Sequence, residues 1–350
     1  MTSVQKLSRI VLICRQADRL AEFYIRAFGF ACIEDSPKID PGFAELALYD
    51  ELGFYAYHLA EHHSTPLGMS PSPSVFLSAV IQRTRRLRIG PLVYLLPLYH
   101  PLRLIEEVCM LDNLSGGRMQ VGVGRGISPI ELGYYGRTPD EAREIYEENL
   151  RILVAGLASE TLTFVGRFSR LEKVPMSMRP LQRPHPPIWM GITSEESAAF
   201  AGKAGYNIVA LMPAAAMRSR VEAYRKARGA GEMGKVGISY HVVVGGDDAS
   251  ALSAASSAYA TWHRSFNHLY RLHGRQPVLG AWPETFPEMM KAQRAVAGSP
   301  RTVIEFMRRQ VEASGINYIV AQLMFGDLPH ETTRRSIELY AREVIPSIRR

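Results

Sequence analysis

Short runs rich in β-branched and aromatic residues alternate along the chain with longer stretches whose apolar side chains recur every three or four positions. The short runs predict strands at Arg9–Cys14, Phe54–Leu59, Leu87–Leu92, Met119–Gly124, Pro187–Ile192, Tyr206–Leu211, Val236–Val244 and Asn317–Leu323. Between them, Leu102, Ile105, Val108 and Cys109 line one helical face, and Tyr146, Leu150, Leu153, Val154 and Leu157 line another. Val303, Ile304, Met307 and Val311 make a third, and Ile337, Tyr340, Ala341 and Val344 a fourth. Boundary signals agree: Ser115-Gly-Gly117 stops a helix, and Ser299-Pro300 opens one with proline at the first helical position. Strands that alternate with helices need a parallel sheet with crossover connections, and eight such units predict an α/β fold closed into a (β/α)8 TIM barrel.

Two stretches interrupt the alternation. Gly156 to Pro186 is long, polar and proline-rich, with a short extended pair expected around Leu162–Arg167; Trp262 to Gly298 carries aromatics and prolines between the seventh and eighth strands. Both read as inserted loops, either lids over a barrel top or passive surface excursions. No internal repeat is present.

Composition narrows the class. With 350 residues, 47% of them apolar and 21% charged, the chain has material for a large core. No run of eighteen uncharged apolar residues and no signal peptide is visible, so a cytoplasmic protein is expected. Cys14, Cys32 and Cys109 lack metal or disulfide spacing and read as small apolar residues. A net charge of +7 raises the question of nucleic acid. The densest basic groups, Arg83, Arg85, Arg86 and Arg88, and Arg334 with Arg335, sit among strand and helix patterns as solvated faces, and no nucleic-acid motif accompanies them.

In a barrel of this kind the chemistry belongs at the carboxyl ends of the strands. Glu61-His62-His63 follows the second strand, Gly124-Arg125-Gly126 the fourth, and Thr193-Ser194 the fifth, with Ser197 one turn into the next helix. Arg125 between glycines, beside a helix opened by Ser194 and Ser197, suits a phosphate; an ordinary helix cap and a surface arginine would give the same pattern. The histidine pair suits base chemistry, metal binding or plain packing. Metal binding is disfavoured, because neighbours in an extended chain point in opposite directions. Glu61 either orients one ring or caps the adjacent turn.

Read together, these pieces resemble the bacterial luciferase-like family of flavin monooxygenases. The resemblance is carried by Glu51-Leu-Gly-Phe54 with Leu59-Ala-Glu-His-His63, then Arg88-Ile-Gly-Pro-Leu-Val-Tyr-Leu-Leu-Pro-Leu-Tyr-His-Pro101 and Leu111-Asp-Asn-Leu-Ser-Gly-Gly-Arg118. Val121-Gly-Val-Gly-Arg-Gly126, Pro187-Ile-Trp-Met-Gly191, Phe325-Gly-Asp-Leu-Pro-His330 and Ala341-Arg-Glu-Val-Ile-Pro346 continue it, so that it covers about residues 41–348 in order. It implies a luciferase-type barrel using reduced FMN, supplied by a separate flavin reductase, and O2 on a small organic substrate through a hydroperoxide at flavin C4a. His62 then resembles the proton-handling histidine, Arg125 and Arg143 the phosphate-binding arginines, and Ser194 and Ser197 the phosphate-binding turn. Thr193 stands at a position that is acidic in some relatives. Gly124 replaces a cysteine that bacterial luciferase holds near the flavin ring, which implies more room there and no light emission. Leu92-Val93 aligns with a non-proline cis peptide beneath the flavin. A homodimer is also implied, as are two alternatives: a deazaflavin-dependent hydride-transfer enzyme of the same superfamily, and an inactive flavin-binding protein.

The first forty residues depart from this pattern. Leu7–Phe30 resembles the opening βα unit of a vicinal-oxygen-chelate (glyoxalase-like) domain, with Ala17, Leu20, Ala21, Tyr24 and Phe28 on one helical stripe. The expectation is an atypical segment at 1–40 whose Arg9–Cys14 substitutes as the first barrel strand, followed by a barrel domain at 41–350 in which Ala44, Ala47 and Leu48 begin a helix. Tyr94, Tyr99, Trp189, Met190, Met212, Met324 and Phe325 are candidates for an apolar pocket wall, or for core.

Overall fold

The computed structural model describes residues 42–349 other than 69, 279 and 281. The expected strand Arg9–Cys14, the helical stripe from Ala17 to Phe28, Cys14 and Cys32 lie outside the described residues. The chain enters through helix α1 (Gly42–Glu51) and continues through β1 (Ala56–Leu59), α2 (Pro73–Arg83), β2 (Arg88–Pro91), a short β3 (Tyr94–Leu95), α3 (Pro101–Ser115) and β4 (Val121–Gly124). Helices α4 (Pro129–Tyr134) and α5 (Pro139–Ala158) follow, then the hairpin β5 (Thr161–Val165) and β6 (Arg170–Pro175). Next come β7 (Ile188–Gly191), α6 (Glu195–Ala204), β8 (Asn207–Ala210), α7 (Ala214–Arg228) and β9 (Val236–Val244). The last third holds α8 (Asp248–Phe266), α9 (His268–Leu272), α10 (Phe286–Lys291), β10 (Ala295–Gly298), α11 (Pro300–Ser314), β11 (Tyr318–Gln322) and α12 (His330–Leu339).

Local signals explain most boundaries. Thr138 and Glu141 form a reciprocal capping box at the start of α5, and Gly116 ends α3 in the left-handed region at φ 67°. The stretch from Trp262 to Gly298 is not the irregular excursion expected from its aromatics and prolines. Trp262 lies in the last turns of α8, and Ala295–Gly298 is a strand. The hairpin in the other interruption spans Thr161–Pro175, wider than the pair expected at Leu162–Arg167.

Parallel pairing links β1 to β2, β4 to β7, β7 to β8, β8 to β9 and β9 to β11. A bridge between Ile89 and Met119 joins β2 to the strand that becomes β4, and β3 pairs with β4 above it. Seven strands of the expected barrel therefore stand in barrel order among the described residues. The extra strand β10 pairs with the outer half of β9, from His241 onward.

Contacts across the interior show that the wall curves round on itself. Trp189 of β7 meets the rings of His58 on β1 at 5.3 Å and of Tyr318 on β11 at 4.9 Å, yet neither strand is its sheet neighbour. His58 Nε2 and the Tyr318 hydroxyl are 3.1 Å apart, tying the first described barrel strand to the last. Trp189 Nε1 donates to Gln120 Oε1 in the same interior. This is a TIM barrel of the luciferase-like type. Outside the wall, Ile188, Met190, Val236, Ile238, Tyr240, Val242 and Val244 belong to the main hydrophobic core under the helices. The period of two along a strand sends their alternates inward.

Asp50 fastens α1 to the wall. Its carboxylate accepts from the backbone N–H groups of Arg85, Arg86 and Leu87 at 2.7, 2.8 and 2.5 Å, at the entry to β2. Burial pushes its pKa up, but the three amides and the Arg86 charge outweigh that and hold it below the usual value. A pKa lowered on folding gives stability that is complete above the unfolded pKa of about 4 and is lost as pH falls through the folded value. Asp50→Ala is expected to destabilise the fold by about 2–3 kcal/mol, because it leaves three backbone amides without their acceptor, the buried one of Leu87 among them. Urea denaturation at pH 7 and at pH 3 checks this: the gap between wild type and variant should shrink at the lower pH.

Candidate functional site

The chain leaves β1 through Glu61-His62-His63, and two carboxylates divide the histidines between them. Glu61 is buried, with Oε1 2.7 Å from His63 Nε2 and Oε2 accepting from Leu95 N at 3.1 Å and the Tyr99 hydroxyl at 3.0 Å. Burial, then the Glu61 charge, raise the Tyr99 pKa, so the phenol stays a donor. An ionised carboxylate only accepts, so His63 carries its proton on Nε2 and takes the Tyr135 hydroxyl at Nδ1, 2.8 Å away. Glu61 thus orients a ring, but it is the ring of His63 and not of His62.

The partner of His62 is Glu131. Its Oε1 lies 3.4 Å from His62 Nδ1, and its Oε2 accepts from His63 N at 2.9 Å. Ser128 caps α4 and accepts from Glu131 N at 3.2 Å. The spacing Ser128-x-x-Glu131 reads as a capping box, in which the glutamate would turn back to the cap. Here it turns to the histidines instead, which is why the sequence pattern conceals it. With Nδ1 held by the carboxylate, Nε2 is the remaining basic nitrogen of His62. The ring is partly exposed and lines a small pocket with Leu67, Ile127, Phe266, Leu269 and Tyr270.

Arg125 is the first residue after β4, on the loop that leads to Glu131. It is exposed and makes no side-chain hydrogen bond or ion pair among the described residues. Arg143, near the start of α5, is exposed as well. Strands β4 and β7 are parallel, with Val123 opposite Met190, so Arg125 and the Ile192–Ser194 turn leave the sheet at the same edge. Thr193 is exposed there. Ser194 and Ser197 cap α6 reciprocally: Ser194 Oγ accepts from Ser197 N at 3.3 Å and Ser197 Oγ from Ser194 N at 3.2 Å. His62, Arg125 and the α6 N-terminus therefore occupy one rim.

The Leu92–Val93 peptide is cis, as its resemblance implied. The extra room expected at Gly124 is absent. A Cβ there would lie 2.3 Å from Val93 Cγ2, so the glycine admits the valine side chain over the end of β4. Among the wall candidates, Tyr94 and Met190 are core, with Tyr94 bonded to Ser74 at 2.9 Å, and Met212 and Met324 pack against the same core. Trp189 fills the barrel interior, and Phe325 joins a separate aromatic cluster. No group of three or more metal-ligating side chains occurs among the described residues, and none of their helices is long and apolar enough to cross a membrane.

The profile of the luciferase-like monooxygenases matches residues 33–318. The chain belongs to that family. An uncharacterized protein of Sinorhizobium fredii (strain NBRC 101917 / NGR234), y4wF, is 45% identical over 285 residues, covering 80% of this chain and 83% of the relative. The crystal structure of the monooxygenase RslO1 from Streptomyces bottropensis superposes with a TM-score of 0.80 at 28% identity, over 89% of this chain and 96% of that one. The oxygenase component of a flavin-dependent trigonelline monooxygenase from Acinetobacter baylyi (strain ATCC 33305 / BD413 / ADP1) is 28% identical over 174 residues, 46% of this chain and 48% of its own. Membership makes the chain an oxidoreductase of the luciferase-like monooxygenase type.

In this member of the family the close approach of Val93 and Gly124 has a measurable consequence. Gly124→Ala is expected to cost about 1–3 kcal/mol by overpacking. Val93→Ala in the same chain should recover most of that loss, which a double-mutant cycle of denaturation midpoints reads directly.

Proposed function

We propose that this protein is an FMN-dependent monooxygenase that takes reduced flavin from a separate reductase and uses O2 to oxygenate a small organic substrate. The observation that carries the reading is the guanidinium of Arg125, exposed and without an ion pair among the described residues, which leaves the sheet at the same edge as the N-terminus of α6, on the rim that also bears the His62–Glu131 pair. The fit to a phosphorylated flavin is chemical. Exposed Arg125 and Arg143 and the N–H groups at the start of α6 form a donor set suited to a phosphate dianion, and the hydroxyls of Ser194 and Ser197, which here donate within the cap, would turn to it. The name of the trigonelline relative, an oxygenase component that depends on flavin, supports the same cofactor and a separate reductase.

Reduced flavin, when bound, supplies the electrons and the site at which oxygen is activated. The chain's residues do the rest. Arg125, Arg143, Ser194 and Ser197 hold the phosphate, and Thr193 stands at the mouth of that turn. Val93, with Leu92 before it and Gly124 beneath, gives the ring system an apolar floor. Glu131 accepts a hydrogen bond from His62 Nδ1–H and so fixes Nε2 as the atom that takes up or gives back a proton at the reacting face. Leu67, Ile127, Phe266 and Leu269 give the partly exposed imidazole an apolar flank. A homodimer is part of this proposal through the family resemblance.

His62→Ala is expected to lower substrate-dependent oxygen consumption by about 100-fold or more while FMN affinity changes little, since a positioned acid–base group contributes on that order. Arg125→Ala should weaken FMN binding by about 30-fold and affect turnover at saturating flavin far less. Flavin titration alongside oxygen-electrode assays separates the two. Equal affinity losses in both variants, or hydride transfer from a deazaflavin in place of oxygen use, would contradict the reading.

A further inference from the structure

Along β9 the residues that alternate with the outward Tyr240 and Val242 turn toward the barrel interior, and one of them is His241. It is 2% exposed, and its Nε2 has no hydrogen-bond partner among the described residues. Four aromatic rings enclose it, each steeply inclined to the imidazole: Trp262 at 4.6 Å, Phe325 at 4.9 Å, Tyr259 at 5.9 Å and Trp282 at 6.5 Å. Phe325 follows the carboxyl end of β11, which sets this cluster at the same end of the barrel as His62 and Arg125. Burial lowers the His241 pKa to about 3, so the ring is neutral at any working pH.

The cluster is continuous with the pocket of His62. Tyr259, Trp262 and Phe266 stand three and four residues apart on α8 and therefore share one face. Their rings stack in series, Tyr259 on Trp262 at 5.4 Å and 23°, then Trp262 on Phe266 at 5.1 Å and 16°. Phe266 is itself a wall of the His62 pocket. A ladder of near-parallel ring faces thus runs from the unpartnered nitrogen of His241 to the proposed proton-handling imidazole. The Tyr259 hydroxyl donates to Pro283 O at 2.7 Å, and neither indole N–H of Trp262 and Trp282 bonds to His241 Nε2, so none of the enclosing residues is its partner.

We propose that His241 is the polar anchor of the substrate site, and that the substrate is an uncharged aromatic or conjugated ring compound carrying a hydroxyl or carbonyl oxygen. The inference rests on the reading of the rim as a flavin monooxygenase site. A buried imidazole nitrogen without a partner is costly, and a ligand oxygen that meets it recovers that cost, whereas the bare hydrocarbon leaves it in place. Aromatic surroundings favour a flat, unsaturated ligand, and burial that leaves His241 uncharged rejects an ionised one. A flexible alkyl chain gains less from such a wall and makes no use of the nitrogen.

Calorimetric titration of the full chain with 1-tetralone, 1-tetralol, tetralin and decanal tests this, with and without FMN present. At least one of the two oxygenated bicycles is expected to bind tenfold or more tightly than tetralin, and decanal more weakly than either. His241→Phe should bring the three bicycles within about twofold of one another, and His241→Gln should keep part of the preference. Equal binding of all three bicycles by wild type, tighter binding of decanal, or an undiminished preference in His241→Phe overturns the proposal; the wild-type comparison needs no variant to fold. Failure of FMN to bind would instead strike the monooxygenase reading, while the same titrations without flavin still report on the anchor.

Discussion

Closure of the parallel wall is the constraint on which everything else depends. When parallel strands curve round a shared interior, every carboxyl end comes to one rim, whatever its distance along the chain. Trp189, touching rings on β1 and β11 across the interior, is the contact that shows this curvature. Because of it, residues 61–63, 125, 193–197 and 241 come to one end of the barrel. Without it they would be four unrelated local features.

Within that rim, carboxylates decide what each imidazole can do. Glu61 is committed to His63, Leu95 and Tyr99, so it holds the loop together and fixes a tautomer. Glu131 is divided between His63 N and His62 Nδ1, which ties the end of β1 to the loop carrying Arg125. The proposed proton-handling histidine and the proposed anion-binding arginine are thereby connected through the short segment from Arg125 to Glu131. His58, half-buried, and His241, buried, have no carboxylate partner among the described residues, and desolvation lowers their pKa values to about 4 and about 3. The four histidines differ by environment alone.

Much of this was legible in the sequence because strand periodicity and strand-end position are local properties. The strand at Val236–Val244 stands where its alternation places it, and the glycines around Arg125 mark a strand end. Residues whose roles depend on distant partners were not legible. Glu131 hides behind a capping pattern that its side chain does not complete. Gly124 suggests space until Val93, from the turn between β2 and β3, is seen to fill it. His241 lies inside a run of valines, and only the rings that α8 and the end of β11 bring to it distinguish it from a satisfied core residue.

The central claim is that one flavin spans the rim, with its phosphate at Arg125 and the α6 N-terminus and its ring toward His62. The most direct measurement compares the dissociation constants of FMN and riboflavin, which differ only in the phosphate, for wild type and for Arg125→Ala. The account predicts that wild type prefers FMN by about 100-fold and that the variant loses most of this preference with riboflavin affinity unchanged. Equal affinity of wild type for the two flavins, or a preference that survives loss of the guanidinium, would contradict it.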